Sequence, residues 1–323
     1  MSKIVGHELC VPLEGGNLYD DLRVDIESSH RQLDREPRIQ NQRQGIWIGN
    51  FFKLNFSRAS VLLGLTESLA LNGFRRKWLL EFHAYWRLVL NGRTLWGVSN
   101  FFALAHEYRK KQQHVEGLNW GSPSAHLKNW QHPSELYSTF RMALKDALLI
   151  NRGLLLPRIW NKVPRHAKIL EYGCSLAPYY STYRQYFSHL RCRWVLADIP
   201  NFPFHYAKIR YWNDPAVEFL TIYEENFQNP LGGERDFDVV ILKEVLEHLD
   251  EPLFVTELLL SRLKTGGLFI FDYEKSDALG LDHPKSLGMR KEVLALIIGQ
   301  VEILHGDVSD LDSSIGFCIA RKL

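Results

Sequence analysis

Between about Ser57 and residue 149, apolar positions return every three or four residues. The runs ASVLLGLTESLAL, FRRKWLLEFHAYWRLVL, SNFFALAHEYRKKQQHV and SELYSTFRMALKDALL share this period, and NGR and WGSPS turns separate them. That half predicts helices alone. At Pro164 the rhythm changes. AKILEY, RWVLADI, EFLTIY, DFDVVILKEV, LFIFDY, VEILHGD and IGFCIARKL read as strands, with the helical runs PYYSTYRQYFSHL, FHYAKIRYW, EPLFVTELLLSRLK and SLGMRKEVLALIIG between them and a TGG turn before LFIFDY. Strands alternating with helices predict a doubly wound α/β fold, a parallel sheet covered on both faces. Between VEILHGD and IGFCIARKL there is no room for a crossover helix. The seventh strand is therefore expected to return antiparallel through DVSDLDSS.

This pattern divides the chain into a polar arm at 1–45, a helical domain at 46–155 and a sheet domain at 156–323. With 323 residues, 46% of them hydrophobic, the chain can bury a sizeable core. The net charge of +2 calls for no polyanionic partner. The first 150 residues carry 19 basic against 14 acidic side chains and the remainder 20 against 23, a mild asymmetry that a solvated surface explains. The basic clusters at Arg75 to Lys77 and Tyr108 to Lys111 fall inside predicted helices, where they form wet faces, so no nucleic acid is assigned. Cys10, Cys174, Cys192 and Cys318 make no CxxC pair. Neither a disulfide framework nor a structural zinc site is expected, and a reducing, cytoplasmic setting fits. Cys192 and Cys318 lie in apolar strand-like runs and read as core. The stretch SVLLGLTESLALNGF is broken by Thr66 and Glu67 and is too short to span a bilayer, and MSKIVGHELC has no signal pattern. No membrane association is expected.

The chemistry gathers where the first strand ends. KILEYGCSLAPYY is the turn at which a doubly wound sheet brings bare backbone to a ligand. Gly173 can adopt a positive φ or permit a close approach, and Pro178 suits the first turn of the next helix. A dinucleotide loop would read G-x-G-x-x-G, whereas Ser175 and Ala177 stand at the later positions, which argues against NAD or FAD. Glu171 would repel a pyrophosphate and attract a cation. A ligand with ammonium and sulfonium centres fits. Asp198 closes the second strand 27 positions later, where its carboxylate can accept from a ribose diol.

Over about residues 165–323 the chain resembles the class I S-adenosylmethionine-dependent methyltransferases. ILEYGCS is similar to their first motif, ADIP to the second, FDVVILKEVLEHLDEP to the fourth strand with its tail, and LKTGGLFIFDY to the turn and fifth strand. The resemblance implies S-adenosyl-L-methionine as cofactor. It implies that Gly173, with the backbone around Cys174 and Ser175, lines the methionine end, and that Glu171 sits near the amino group. Asp198 would hold the ribose and Ile199 would lie against the adenine. Glu225, with Asn226 and Phe227 beside it, would accept from the adenine amino group. Lys243 and Glu244 would face the reactive end. Family loops read G-x-G, so Ser175 is a departure, and a silent binding protein of the same fold stays open as an alternative.

Methyl transfer requires an aligned, desolvated acceptor, with a base where the acceptor is a hydroxyl. His248 is the candidate base, with Glu244 and Glu247 nearby to raise its basicity; local packing is the competing reading. Tyr273 and Lys275 follow the fifth strand and read either as cleft residues or as scaffold. Glu244, Glu247 and His248, at i, i+3 and i+4, would share one face of a helix, and with His283 could make an oxygen and nitrogen cage for a metal, as in small-RNA 2′-O-methyltransferases. Because the same run is common in metal-free relatives, no metal is assigned. A metal-assisted RNA 2′-O-methyltransferase remains the alternative. In the helical half, Asn129, Trp130, His132 and Tyr137 are candidate lid residues, and the same helices could form a homodimer. The leading expectation is methyl transfer to a small molecule, a sugar or natural-product intermediate.

Overall fold

A computed structural model describes residues 80–90, 108, 127, 129–131, 135–147, 159–275 and 282–323. The expected arm at 1–45, most of the helical runs before residue 120, and His132 lie outside these residues. The chain groups into two compact units, 1–110 with 131–151 and 111–130 with 152–323.

In the first unit, residues 80–84 are α-helical and pass into a π-helical turn at Tyr85–Val89. Helix α1 spans Glu135–Ala147. Its Leu136, Tyr137, Phe140 and Ala143 recur at helical spacing and are buried. Phe82 meets Phe140 edge to face with centroids 4.9 Å apart, and Tyr108 meets Tyr137 at 5.4 Å. Aromatic side chains form this core. Tyr137, a candidate lid residue, is one of them.

The second unit is built on seven strands: β1 Lys168–Tyr172, β2 Arg193–Asp198, β3 Val217–Thr221, β4 Phe237–Leu242, β5 Leu263–Tyr273, β6 Val301–His305 and β7 Ile315–Lys322. Their order is β3-β2-β1-β4-β5-β7-β6. The first five are parallel, while β7 runs antiparallel to β5 and β6. This is the doubly wound sheet with a reversed last strand that the pattern predicts. β1 and β4 are neighbours, so the chain reverses its direction of travel between them, and that switch opens a crevice at their carboxyl ends.

Strand parity decides which side chains each face buries. Leu170, Val195, Val240, Leu242, Phe269 and Phe271 pack with Val255 and Leu259 of α4 (Pro252–Arg262) and Val293 and Ile297 of α6 (Arg290–Gln300). Ile169, Trp194, Leu196, Ile241 and Ile270 pack on the other face with Tyr180 of α2 (Pro178–Thr182) and Phe204 and Ala207 of α3 (Phe202–Tyr211). Trp194 anchors that face, with Trp160, Tyr180 and Tyr183 at 6.0, 5.3 and 5.3 Å. The helices begin where the sequence punctuates them. Pro178 and Pro252 occupy first turns, and the Asn201 side chain accepts from Phe204 N–H at 2.8 Å to cap α3.

Two local expectations change. The TGG segment is not a turn before β5 but an irregularity inside it: Leu263 pairs with Phe237 and Leu268 with Val239, with Gly266 at φ +79° between. The helix expected over 286–299 is two pieces, α5 (Pro284–Gly288) and α6, joined at Met289, whose ψ of 5° leaves the helical range. Cys174, Cys192 and Cys318 are free thiols, all buried.

The β6–β7 connection turns at Gly306, with φ +103°. A Cβ there would run into the Cys318 sulfur and stand 2.8 Å from the Phe317 carbonyl oxygen. Gly306→Ala is expected to cost about 2 kcal/mol, read as a lower urea midpoint of the full chain.

Candidate active site

Three buried acids end strands at the carboxyl edge. Glu171 is 3% exposed, Asp198 7% and Asp272 0%. Each holds loop backbone. Glu171 accepts from Tyr179 N–H at 3.2 Å and Tyr180 N–H at 3.1 Å, so its two oxygens cap the start of α2. Asp198 accepts from Ser175 N–H at 2.6 Å, Ile199 N–H at 2.7 Å and the Asn201 amide at 3.2 Å. Asp272 accepts from Glu244 N–H at 2.7 Å and pairs with the Lys243 ammonium.

The loop between β1 and α2 has little freedom. Gly173, Ser175 and Ala177 sit at φ +66°, +53° and +56°. A Cβ on Gly173 would collide with Val245 of the loop after β4, so glycine is what allows the two loops to touch. Gly173 and Cys174 both donate to Ala197 O, at 2.8 and 3.2 Å, which folds the loop toward β2. Ser175 takes a left-handed conformation that costs a residue with a side chain about 1 kcal/mol or more. Its short amide bond to Asp198 offsets that cost.

Burial pushes the Asp198 carboxyl up to about 7, against the pull of its three donors. A carboxylate offers about four acceptor positions, so Asp198 has capacity for a hydroxyl donor beyond the three it already serves. Two acids at the ends of adjacent strands, above a left-handed loop, offer the negative charge and acceptor oxygens that a cationic nucleoside would need. Cys174 is buried beneath them with its thiol pushed well up, first by burial and then by the Asp198 and Glu171 charges, so it contributes backbone and not a thiolate.

The remaining residues predicted from sequence spread along the edge. Ile199 packs against the core cluster beside Val195 and Ala197. Glu225 is exposed. The Asn226 side chain is engaged locally, accepting from Tyr223 N–H at 2.7 Å and donating to Thr221 O at 2.9 Å. Phe227 packs on Phe254 at 5.9 Å. Tyr273 is wholly buried: its hydroxyl lies 2.7 Å from Ser286 O and 2.6 Å from Ser286 Oγ, and the Arg290 guanidinium stands 4.5 Å above its ring. Burial pushes that phenol up to about 12, which suits a brace between β5 and α5.

His248 lies in a single 3-10 turn, Leu246–His248, just past β4. Glu244 does not join it on a helical face, because its φ of +55° turns the backbone left-handed. The i, i+3, i+4 arrangement therefore fails, and among the described residues no group of three His, Cys, Asp or Glu side chains is placed to hold a metal ion. Glu247 is 3% exposed, and burial, with Asp282 and Glu244 adding to it, pushes its carboxyl up to about 8. Trp130 meets the His248 ring at 5.0 Å, nearly edge to face.

Sequence reasoning missed Asn201, Asp272 and Asp282. A lone acid inside the apolar run LFIFDY was a signal for Asp272, and N-x-P at a helix start was one for Asn201. Asp282, in a connecting segment, gave none.

No family model matches the chain. No curated protein matches it either. Among solved structures it is similar to the N-methyltransferase NodS from Bradyrhizobium japonicum, at 16% identity over 48% of this chain and 85% of that one, with a TM-score of 0.36. A SAM-dependent methyltransferase from Methanosarcina mazei is similar at 15% identity over 52% and 98%, with a TM-score of 0.37. An rRNA methylase from Streptococcus thermophilus is similar at 12% over 51% and 91%, with a TM-score of 0.36. The site itself stands on this chain's own geometry.

Glu247 gives a pH signature. Its carboxyl rises from an ordinary 4.5 to about 8 on folding, so the stability it contributes is fully present below about 4.5 and is lost as pH climbs to about 8. The urea midpoint of Glu247→Gln should therefore fall less steeply than that of the wild type across this window.

Proposed function

We propose that the chain is an S-adenosylmethionine-dependent methyltransferase acting on a small-molecule acceptor. The observation that carries this reading is the pair of buried carboxylates, Glu171 and Asp198, ending adjacent parallel strands at the switch point and bracketing the left-handed loop Gly173–Ala177. Asp198 would accept from the ribose, Glu171 would keep the loop and the head of α2 in place while adding negative potential near a cationic centre, and Ile199 would supply apolar contact. When bound, the cofactor supplies an electrophilic methyl group and departs as a neutral thioether. The protein's share is then to orient an acceptor, exclude water and take a proton where the acceptor carries one.

His248 is the candidate for that proton. It remains 24% exposed at the end of β4, beside the loop that touches Gly173 through Val245. Tyr273 is left out of the chemistry because its hydroxyl is committed to Ser286. Lys243 likewise serves Asp272. The helical half, residues 46–155, is proposed as a lid or homodimer surface, and the chain as cytoplasmic. Among the described residues no helix is long and apolar enough to cross a membrane.

Calorimetry with S-adenosylhomocysteine tests the reading. Wild-type protein is expected to bind it, and Asp198→Ala to weaken binding at least tenfold; no binding by the wild type would leave a silent relative of the fold as the better account. The pH dependence follows from Asp198. Ribose hydroxyls donate to the ionised carboxylate, so binding must release any proton held there, and affinity should tighten by up to about tenfold per unit as pH rises toward 7, then level off.

A further inference from the structure

A second gathering of ionisable groups lies past β4, where two stretches of chain meet. One is the turn Leu246–His248, and the other is Asp282 with the head of α5. Two hydrogen bonds lock them together: His283 N–H donates to Glu247 O at 2.7 Å and Ser286 Oγ donates to Leu246 O at 2.6 Å, while the Tyr273 hydroxyl at the end of β5 braces α5 by donating to Ser286 O at 2.7 Å. The His283 ring caps α5, its Nδ1 accepting from Lys285 N–H at 3.2 Å. Asp282 is thereby held in one place. Its side chain is 8% exposed and its Oδ1 stands 3.8 Å from His248 Nδ1.

Around the imidazole, each nitrogen faces an acid. Nδ1 faces Asp282, and Nε2 lies 3.8 Å from Glu247 Oε1. The two acids differ in charge. Glu247 is buried, its Oε2 has no hydrogen-bond partner among the described residues, and its carboxyl is pushed up to about 8, so it keeps its proton at neutral pH. Asp282 supplies the negative charge. Nearby, Glu244 is exposed on the loop leading into the turn, Lys243 is neutralised by Asp272, and Asp250 and Lys285 lie toward His283 and each other. Trp130 closes one side of the ring.

We propose that Asp282 is the positioning residue of a His248 base, keeping the proton of the neutral ring on Nδ1 and so making Nε2, which lies beyond hydrogen-bond distance of Glu247, the basic nitrogen toward a hydroxyl acceptor. This rests on the methyltransferase reading. The acceptor oxygen gains the methyl carbon, the electron pair of the broken carbon–sulfur bond stays on sulfur, and the hydroxyl proton passes to Nε2. The imidazolium so formed sits opposite the Asp282 carboxylate, which stabilises it. An acceptor with no proton to lose would gain nothing from this pair, so the arrangement favours hydroxyls.

Nuclear magnetic resonance of the full chain tests the pairing without any acceptor. The His248 ring signals are assigned by their loss in His248→Gln. In wild-type protein, long-range nitrogen–proton correlation above the titration midpoint is expected to show the Nδ1–H tautomer; the Nε2–H tautomer would overturn the proposal even if neither Asp282 variant folds. Asp282→Asn should move the midpoint down by about one pH unit, and Asp282→Glu should restore most of it. A midpoint unmoved in a folded Asp282→Asn protein also overturns it. Calorimetry with S-adenosylhomocysteine remains separate: loss of that binding sinks the cofactor reading and leaves the titration as measured, whereas an unmoved midpoint leaves the cofactor reading standing.

Discussion

The carboxyl edge of this sheet depends on buried carboxylates satisfied by loop amides. Taking a charge out of water is expensive unless donors replace the solvent, and charge-assisted bonds from backbone N–H are the strong ones available. Glu171 meets that need at the head of α2, Asp198 in the β1 and β2 loops, and Asp272 in the turn after β4. Together they hold the β1 loop, the β2 loop and the turn after β4 in fixed positions. The crevice between them is shaped by those acids before any ligand arrives.

The same constraint explains why Ser175 is tolerated where a glycine would be easier. Its left-handed backbone points the amide at Asp198, and the 2.6 Å bond holds it there. Gly173 has no such latitude. Val245 fills the space that a side chain would need, so this one glycine records a contact between loops 72 residues apart in sequence.

The architecture of the sheet unit was legible in the sequence. Apolar strand-like runs alternating with helical ones, Pro178 at a helix start and the short final connection were local signals, and they carried the sheet's parallel body and its reversed end. Glu171 and Asp198 were legible for the same reason, as acids standing at the ends of apolar runs. What was not legible depended on dihedral angles and long-range packing. Glu244, Glu247 and His248 look like one helical face until the +55° φ at Glu244 breaks it. Tyr273 looks like a cleft residue until Ser286, from a distant segment, takes its hydroxyl. Asp282 becomes visible only because α5 folds back onto the turn after β4.

The three described thiols lie inside the sheet unit, and burial raises Cys192 and Cys318 to about 11. At neutral pH each is a poor nucleophile twice over, protonated and out of reach. Alkylating reagents would thus act as a clock for opening of the sheet, since a sulfur is labelled only when its strand or loop comes away. Oxidants that damage exposed thiols would pass this unit by while it stays closed.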